Sequence, residues 1–243
     1  NNRKGMGQTA CQNAVATDIY EVSKGFTQDC WIVKLDIKGC FPNISQDIAF
    51  AQLEEVIKTD YIGEDKDELL YILRLCIFSY PTEHCYRKSQ MSEWKEYIPD
   101  EKSMFKKPLG IGAAIGHLTW QNAVNYYFYE INKWAEENGY LMERYVDDMY
   151  FIVSSRLFLL EIPKIREILA RLGARLNEAK FYCQHYTKGC ECLGIHIKKD
   201  RMYVNKRVVH NAMVKARSFS ACVRAGKVDT LVSSMNSYLG ICK

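Results

Sequence analysis

Residues 140–153 read YLMERYVDDMYFIV, and two adjacent acids, Asp147 and Asp148, interrupt the stretch. The flanking residues are aromatic and β-branched, the composition of two short strands. A two-residue acidic break between them predicts a tight hairpin turn. Turn chemistry alone would account for the two acids, so their meaning depends on what else the chain brings to them. Far upstream, CWIVKLDI (30–37) reads as a buried strand that delivers a third acid, Asp36, at its end. If the two strands are neighbours in one sheet, Asp36, Asp147 and Asp148 converge. Packed carboxylates repel and stay ionised together only if a cation neutralises them. Mg²⁺ takes a few carboxylates together with waters and substrate phosphates, and two such ions serve phosphoryl transfer. Spacing leaves open whether these acids meet.

The totals bound the alternatives. The 243 residues can bury a substantial core as one large domain or two smaller ones. With 48% hydrophobic and 26% charged residues, the composition is that of a folded globular protein and not a disordered one. No uninterrupted apolar stretch reaches the length of a bilayer span, so no membrane association is expected. Ten cysteines without an apolar leader predict reduced thiols in a cytoplasmic protein, not a disulfide framework. From Lys188 to Lys227 ten lysines and arginines face two acids, a net of +8 in a chain whose whole net charge is +4. Such a block favours a polyanionic partner.

Helical spacing is expected over 8–24, then over 45–57 with Ser45 as N-cap, and over 67–79. Residues 80–115 read as loop with a short hairpin. A long helix is expected from 118 to 138, ending at Asn138-Gly139, and another from 161 to 173. Strands near 181–186, 190–197 and 202–204 precede helices at 206–224 and 227–240. Helices alternating with mostly antiparallel strands predict an α+β fold.

RYVDDMYFIV (144–153) resembles the active-site hairpin of reverse transcriptases, and LDIKGCF (35–41) resembles the strand carrying their other metal-binding aspartate. The likeness continues in order through PLGIGAAIGHLTWQNAVNYYF (108–128), LGARLNEAKFYC (172–183) and CECLGIHI (190–197), the last resembling the hairpin called the primer grip. It implies a polymerase palm at 31–200 with a finger insertion near 80–115, the end of the fingers at 1–30 and the start of a thumb at 201–243. It implies RNA-directed DNA polymerisation with an RNA template, a DNA or RNA primer and a dNTP, and two Mg²⁺ ions for which Mn²⁺ can substitute. Asp36 and Asp147 would hold the metals with Asp148 in support, joined by the backbone carbonyl of Ile37. Phe41 would pack under the sugar of the incoming nucleotide and exclude a 2′-hydroxyl. Lys180 would stand near the triphosphate as an acid for the departing pyrophosphate. Ile115, Gly116, Gln121 and Arg3 would complete the nucleotide site.

Ile115 before Gly116, and Gln121 where proline is common, are similar to the enzymes of diversity-generating retroelements and related prophages. That likeness implies error-prone copying and a small basic accessory protein as partner. Trp120 departs from the serine of that branch and would either stack on nucleic acid or fill the core. The resemblance also implies that the chain is a piece of a longer polymerase. Two other readings stand beside it: an RNA-binding palm without strong catalysis, and an RNA-dependent RNA polymerase, which would carry an acid in place of Phe41. Separately, Cys183, His185, Cys190 and Cys192 would gather as a Zn²⁺ set if 181–192 formed one hairpin.

Overall fold

The computed structural model describes residues 5–242 except 81, 84, 225 and 227. Strand β1 (Trp31–Asp36) lies inside a four-stranded antiparallel sheet in the order β2 (Leu141–Tyr145), β3 (Asp148–Val153), β1, β4 (Tyr182–His185). The register sets Trp31 against Val153 and runs to Asp36 against Asp148. Side chains alternate between faces, and here each face is covered by a different layer. Val33, Leu35, Met149 and Phe151 point into the larger core. Helices α2 (Gln46–Asp60), α5 (Leu118–Tyr127), α6 (Tyr129–Glu137) and α7 (Ile162–Arg171) close over it.

On the opposite face Ile32, Tyr150 and Ile152 meet Cys11, Val15 and Ile19 of α1 (Gln8–Val22). Cys190, Cys192, Ile195 and Ile197 complete this second core from a small sheet, β5 (Cys190–Cys192), β6 (Ile195–Ile197) and β7 (Met202–Val204). Burial on both faces explains why the two middle strands are apolar almost throughout. Each such Ile, Leu or Phe contributes about 1.5–3 kcal/mol.

The α+β architecture is the one expected, and most elements fall where periodicity puts them. Ser45 caps α2, its Oγ accepting from the Ile48 N–H at 3.3 Å, a bond worth about 1 kcal/mol. The long helix expected over 118–138 is instead two, α5 and α6, broken at Phe128. There Tyr127 and Phe128, both fully buried, pack edge to face, and the Tyr127 hydroxyl donates to Leu172 O at 2.5 Å. Trp120 is 1% exposed and fills the larger core, which decides for packing against stacking on nucleic acid.

Between 80 and 115 the expected hairpin is absent among the described residues. The segment holds α4 (Met91–Tyr97) and two 3₁₀ turns. It follows α3 (Lys66–Ile77), and its extended end bridges Ile111 to Ser45. The C-terminal helices are α8 (Lys206–Arg217), α9 (Phe219–Arg224) and α10 (Val228–Cys242). The expected helix over 206–224 is interrupted at Ser218, whose hydroxyl turns back onto Lys215 O at 2.7 Å. Among the described residues no helix is long and apolar enough to cross a membrane.

The Zn²⁺ arrangement does not form. β4 pairs with β1, placing Cys183 opposite Val33, while β5 joins the other sheet. Cys183 therefore packs against one core while Cys190 and Cys192 lie in the other. His185 stacks edge-on against Trp31 and reaches Asp29 at 3.3 Å. The hairpin that does form, 190–197, turns at Leu193-Gly194.

Candidate active site

The three acids meet at one corner of the sheet. Asp36 ends β1 directly opposite Asp148, the first residue of β3. Cross-strand partners share a face. Asp147 lies in the turn, its carbonyl accepting from the Ile37 N–H at 3.0 Å. The turn differs by one position from the expected Asp-Asp break: Tyr145 pairs with Asp148, so the turn residues are Val146 and Asp147. Val146 has φ +57°, a left-handed backbone that a β-branched side chain disfavours by about 1–3 kcal/mol.

Arg144 holds that strained turn. Its guanidinium donates to Val146 O (3.2 Å), Asn125 O (2.7 Å) and Asn132 Oδ1 (2.8 Å), tying the tip to α5 and α6. Burial pushes Arg144 down to about 10. Sequence reading assigns it no role, and only its position before the acidic turn hints at one. Replacing it with methionine is expected to lower the unfolding free energy by about 2–4 kcal/mol, the scale of lost hydrogen bonds from a charged group. Urea denaturation measures this. Lysine should recover only part, since an ammonium cannot span acceptors arranged for a planar fork.

Each of two acids has its own lysine. Asp36, 2% exposed, accepts from Lys180 Nζ at 2.6 Å and from Asn177 Nδ2 at 2.8 Å. The hydrogen bond to Asp36 raises Lys180, burial partly opposes that, and Lys180 stays protonated. Asp148 pairs with Lys34 Nζ at 3.2 Å. Asp147 makes no ion pair among the described residues. Burial raises its carboxyl above the usual aspartate range, a backbone hydrogen bond partly offsets this, and Asp148 and Asp36 add to the rise.

Among the described residues no three acid, histidine or cysteine side chains stand at metal-ligating spacing, and the Asp36 and Asp148 carboxylates are paired with lysines. The donor chemistry nonetheless fits Mg²⁺. Carboxylate oxygens and a backbone carbonyl are hard ligands; strand register sets Asp36 beside Asp148, and Asp147, raised chiefly by burial, stands next to them in the turn. Lys34 and Asn177 were both missed in sequence reading. A lysine inside the otherwise apolar WIVKLD was the available signal for the first.

The other residues expected in the nucleotide site fall at separate places in the fold. Phe41 begins a 3₁₀ turn, half-buried against the larger core. Its loop is fixed by Asn43, whose Nδ2 donates to Gly39 O at 2.8 Å and whose Oδ1 accepts from Lys107 Nζ at 2.6 Å. Gly39 (φ +56°) leaves no room for a side chain there, since a Cβ would meet Asn43 Nδ2 at 2.8 Å. The 110–113 segment lies alongside: Ala113 N–H donates to Phe41 O (2.8 Å), Gly112 N–H to Ile44 O (2.7 Å) and Gln46 N–H to Gly110 O (2.8 Å). This carries Ile115, 80% exposed, and Gly116 (φ +92°) past Phe41 into open space. Gln121 sits half-buried one turn into α5, its N–H donating to His117 O. Arg3 lies outside the described residues.

A cleft of about 560 Å³ opens beside the acids, lined by Lys34, Asp148, Lys180, Tyr182, Glu191 and Arg207 among others. Arg207, at the start of α8, brings the basic block to the site.

Residues 7–197 match the family model described as reverse transcriptase (RNA-dependent DNA polymerase), and the chain belongs to that family of nucleotidyltransferases. No curated protein sequence matches it. Its fold is similar to that of apo telomerase from Candida tropicalis truncated from the C-terminal domain. That match has 14% identity and TM-score 0.56, covering 79% of this chain and 39% of the other. It is also similar to Candida tropicalis telomerase in complex with a TWJ fragment of telomeric RNA (13% identity, TM-score 0.54; 96% and 41%). The Candida albicans complex with the same kind of fragment matches at 11% identity and TM-score 0.51 (96% and 41%). The chain thus spans about two fifths of the telomerase chains it matches.

Proposed function

We propose that the chain carries the palm of an RNA-directed DNA polymerase, with residues 31–200 as palm, 80–115 as a finger insertion and 201–243 as the palm's end and the start of a thumb. One observation carries the reading: strand register seats Asp36 opposite Asp148 while the Asp147 carbonyl is bonded to Ile37. Asp36, Asp147 and the carbonyl of Ile37 would hold two Mg²⁺ ions, with Asp148 supporting. When bound, the ions neutralise phosphate charge and favour an attacking alkoxide.

The chain's own groups do the rest. A primer 3′-hydroxyl loses its proton to water as its oxygen bonds to the α-phosphorus of a dNTP, while the bond to the bridging oxygen breaks and pyrophosphate leaves. Phe41 supports the sugar and leaves no space for a 2′-hydroxyl. Lys180, held protonated beside Asp36, supplies a proton to the leaving group. The basic block reaching the cleft through Arg207 suits the nucleic-acid backbone.

Within the family we assign the chain to the diversity-generating branch. An exposed aliphatic side chain at 115 offers no hydrogen bond near the nucleotide, which loosens base selection. The same assignment brings in an RNA template and a small basic accessory protein. Ile115→Gln is expected to lower misincorporation by about fivefold, the effect of one hydrogen bond of about 1 kcal/mol. Sequencing of cDNA copied from a defined RNA checks this, and an unchanged error spectrum rejects the assignment.

The test of the main reading is primer extension on an RNA template with dNTPs or rNTPs, using this chain and a longer parent. Extension with dNTPs alone supports it. Specific RNA binding without extension by either would point instead to a non-catalytic RNA-binding palm.

A further inference from the structure

The lysine inside β1 has no part in that chemistry, yet it is more firmly placed than Lys180, the other lysine paired with an acid of the site. Lys34 lies two residues before Asp36 on the same strand, and therefore on the same face of the sheet. Its register partners are Tyr150 on one side and Tyr182 on the other. The ammonium lies 5.2 Å from the centroid of the Tyr150 ring, and the side chain is only 14% exposed. A cation held over an aromatic ring and flanked by strands cannot readily swing out to water. The acid it faces is Asp148, at 3.2 Å, whose side chain is 21% exposed. Glu191, the other acid lining the cleft, is engaged by Asn205 Nδ2 at 2.5 Å.

The two lysines of the site differ in this respect. Lys180 also pairs with an acid, but its side chain is 59% exposed and reaches in from a 3₁₀ turn, so it is free to leave. Lys34 is not. A divalent ion arriving at the corner can take Asp36 from Lys180, whereas taking Asp148 means stripping it from an immobile counter-ion in a half-buried place.

We propose that Lys34 is a positioning residue that pairs permanently with Asp148 and keeps it out of the metal-ligating set, so that Asp36 and Asp147 alone supply the side-chain ligands. The proposal rests on the polymerase reading and narrows the part Asp148 plays in it. The pair then acts as a neutral unit at the edge of the site. Removing only its positive half would release a carboxylate toward the metal, and removing both halves would leave the metal's surroundings nearly as they were.

Mn²⁺ binding to the chain, followed by electron paramagnetic resonance and by the metal-dependent rise in melting temperature, tests this without any catalysis. Lys34→Met is expected to bind Mn²⁺ about tenfold tighter, the scale of one neighbouring charge on a carboxylate. Lys34→Arg should bind as the parent does. The double variant Lys34→Met with Asp148→Asn removes a half-buried pair as a unit, which folds tolerate better than removing one partner. It should bind within about twofold of the parent. A tenfold loss in the double variant would make Asp148 a ligand and overturn the proposal, as would unchanged affinity in folded Lys34→Met. Asp147→Asn is the separating control. If it removes Mn²⁺ binding while the Lys34 variants behave like the parent, only the role of Lys34 fails. If Asp147→Asn leaves binding unchanged, the polymerase reading fails and the proposal with it.

Discussion

Asp147→Asn is expected to cut primer extension by on the order of a thousandfold and, at pH 7, to make the protein more stable. On the polymerase reading proposed above, the first effect follows from removing a charged group that would hold the metal ions neutralising a transferring phosphate. The second follows from the geometry of the turn. Burial lifts the Asp147 carboxyl above its ordinary range, against a partly offsetting backbone hydrogen bond, and Asp148 and Asp36 lift it further. The folded state thus holds that proton more tightly than the unfolded chain, so ionisation at neutral pH destabilises the fold. The advantage of asparagine is full above the raised folded value. It shrinks as pH falls through that value and disappears below the ordinary aspartate range, where both states are protonated. A gain of about 1 kcal/mol corresponds to about 2–4 °C for a chain of this size. Melting curves of the two proteins from neutral to acid pH should converge, and parallel curves would refute the electrostatic account.

Phe41→Val should admit ribonucleotides. The ring sits at the start of a 3₁₀ turn with its carbonyl accepting from Ala113 N–H at 2.8 Å, so the backbone stays fixed when the side chain shortens. Sugar discrimination of this kind works by exclusion and not by attraction. The expected result is a fall of about a hundredfold in the preference for dNTP over rNTP, equivalent to about 3 kcal/mol, with dNTP incorporation much less affected. Competition assays with matched dNTP and rNTP give the ratio directly. Because Phe41 also packs against the larger core, valine is preferable to alanine, which would leave a bigger void. An unchanged ratio would reduce Phe41 to a packing residue.

Much of this was readable from residue order. Strand composition located β1 and β3, but whether the two strands are neighbours stayed open in the sequence, and only the register sets Asp36 against Asp148. The turn was read one residue out of register because nothing in a valine signals a left-handed backbone; in the fold Arg144 bonds the Val146 carbonyl and ties it to α5 and α6. Long-range partners were hidden for the same reason. Asn177 and Lys180 reach Asp36 across more than a hundred residues, and no local pattern announces which acid a lysine will meet. The zinc set failed on pairing: alternation within 181–192 was read correctly, but β4 chose β1 as its neighbour and sent β5 to another sheet. Helix breaks at Phe128 and Ser218 lay beyond periodicity as well, since one is dictated by packing and the other by a hydroxyl bonding back to the chain.

The splice between residues 41–46 and 110–113 would, on the proposed polymerase reading, bear on fidelity. Phe41 and the segment leading to Ile115 are laced together by backbone bonds and by Gln46, fully buried, whose Nε2 donates to Gly112 O at 3.1 Å. On the proposed reading, the surface that would judge the sugar and the surface that would judge the base are therefore one mechanical part. Loosening that seam from beneath, without touching any nucleotide contact, would make both kinds of mistake rise together.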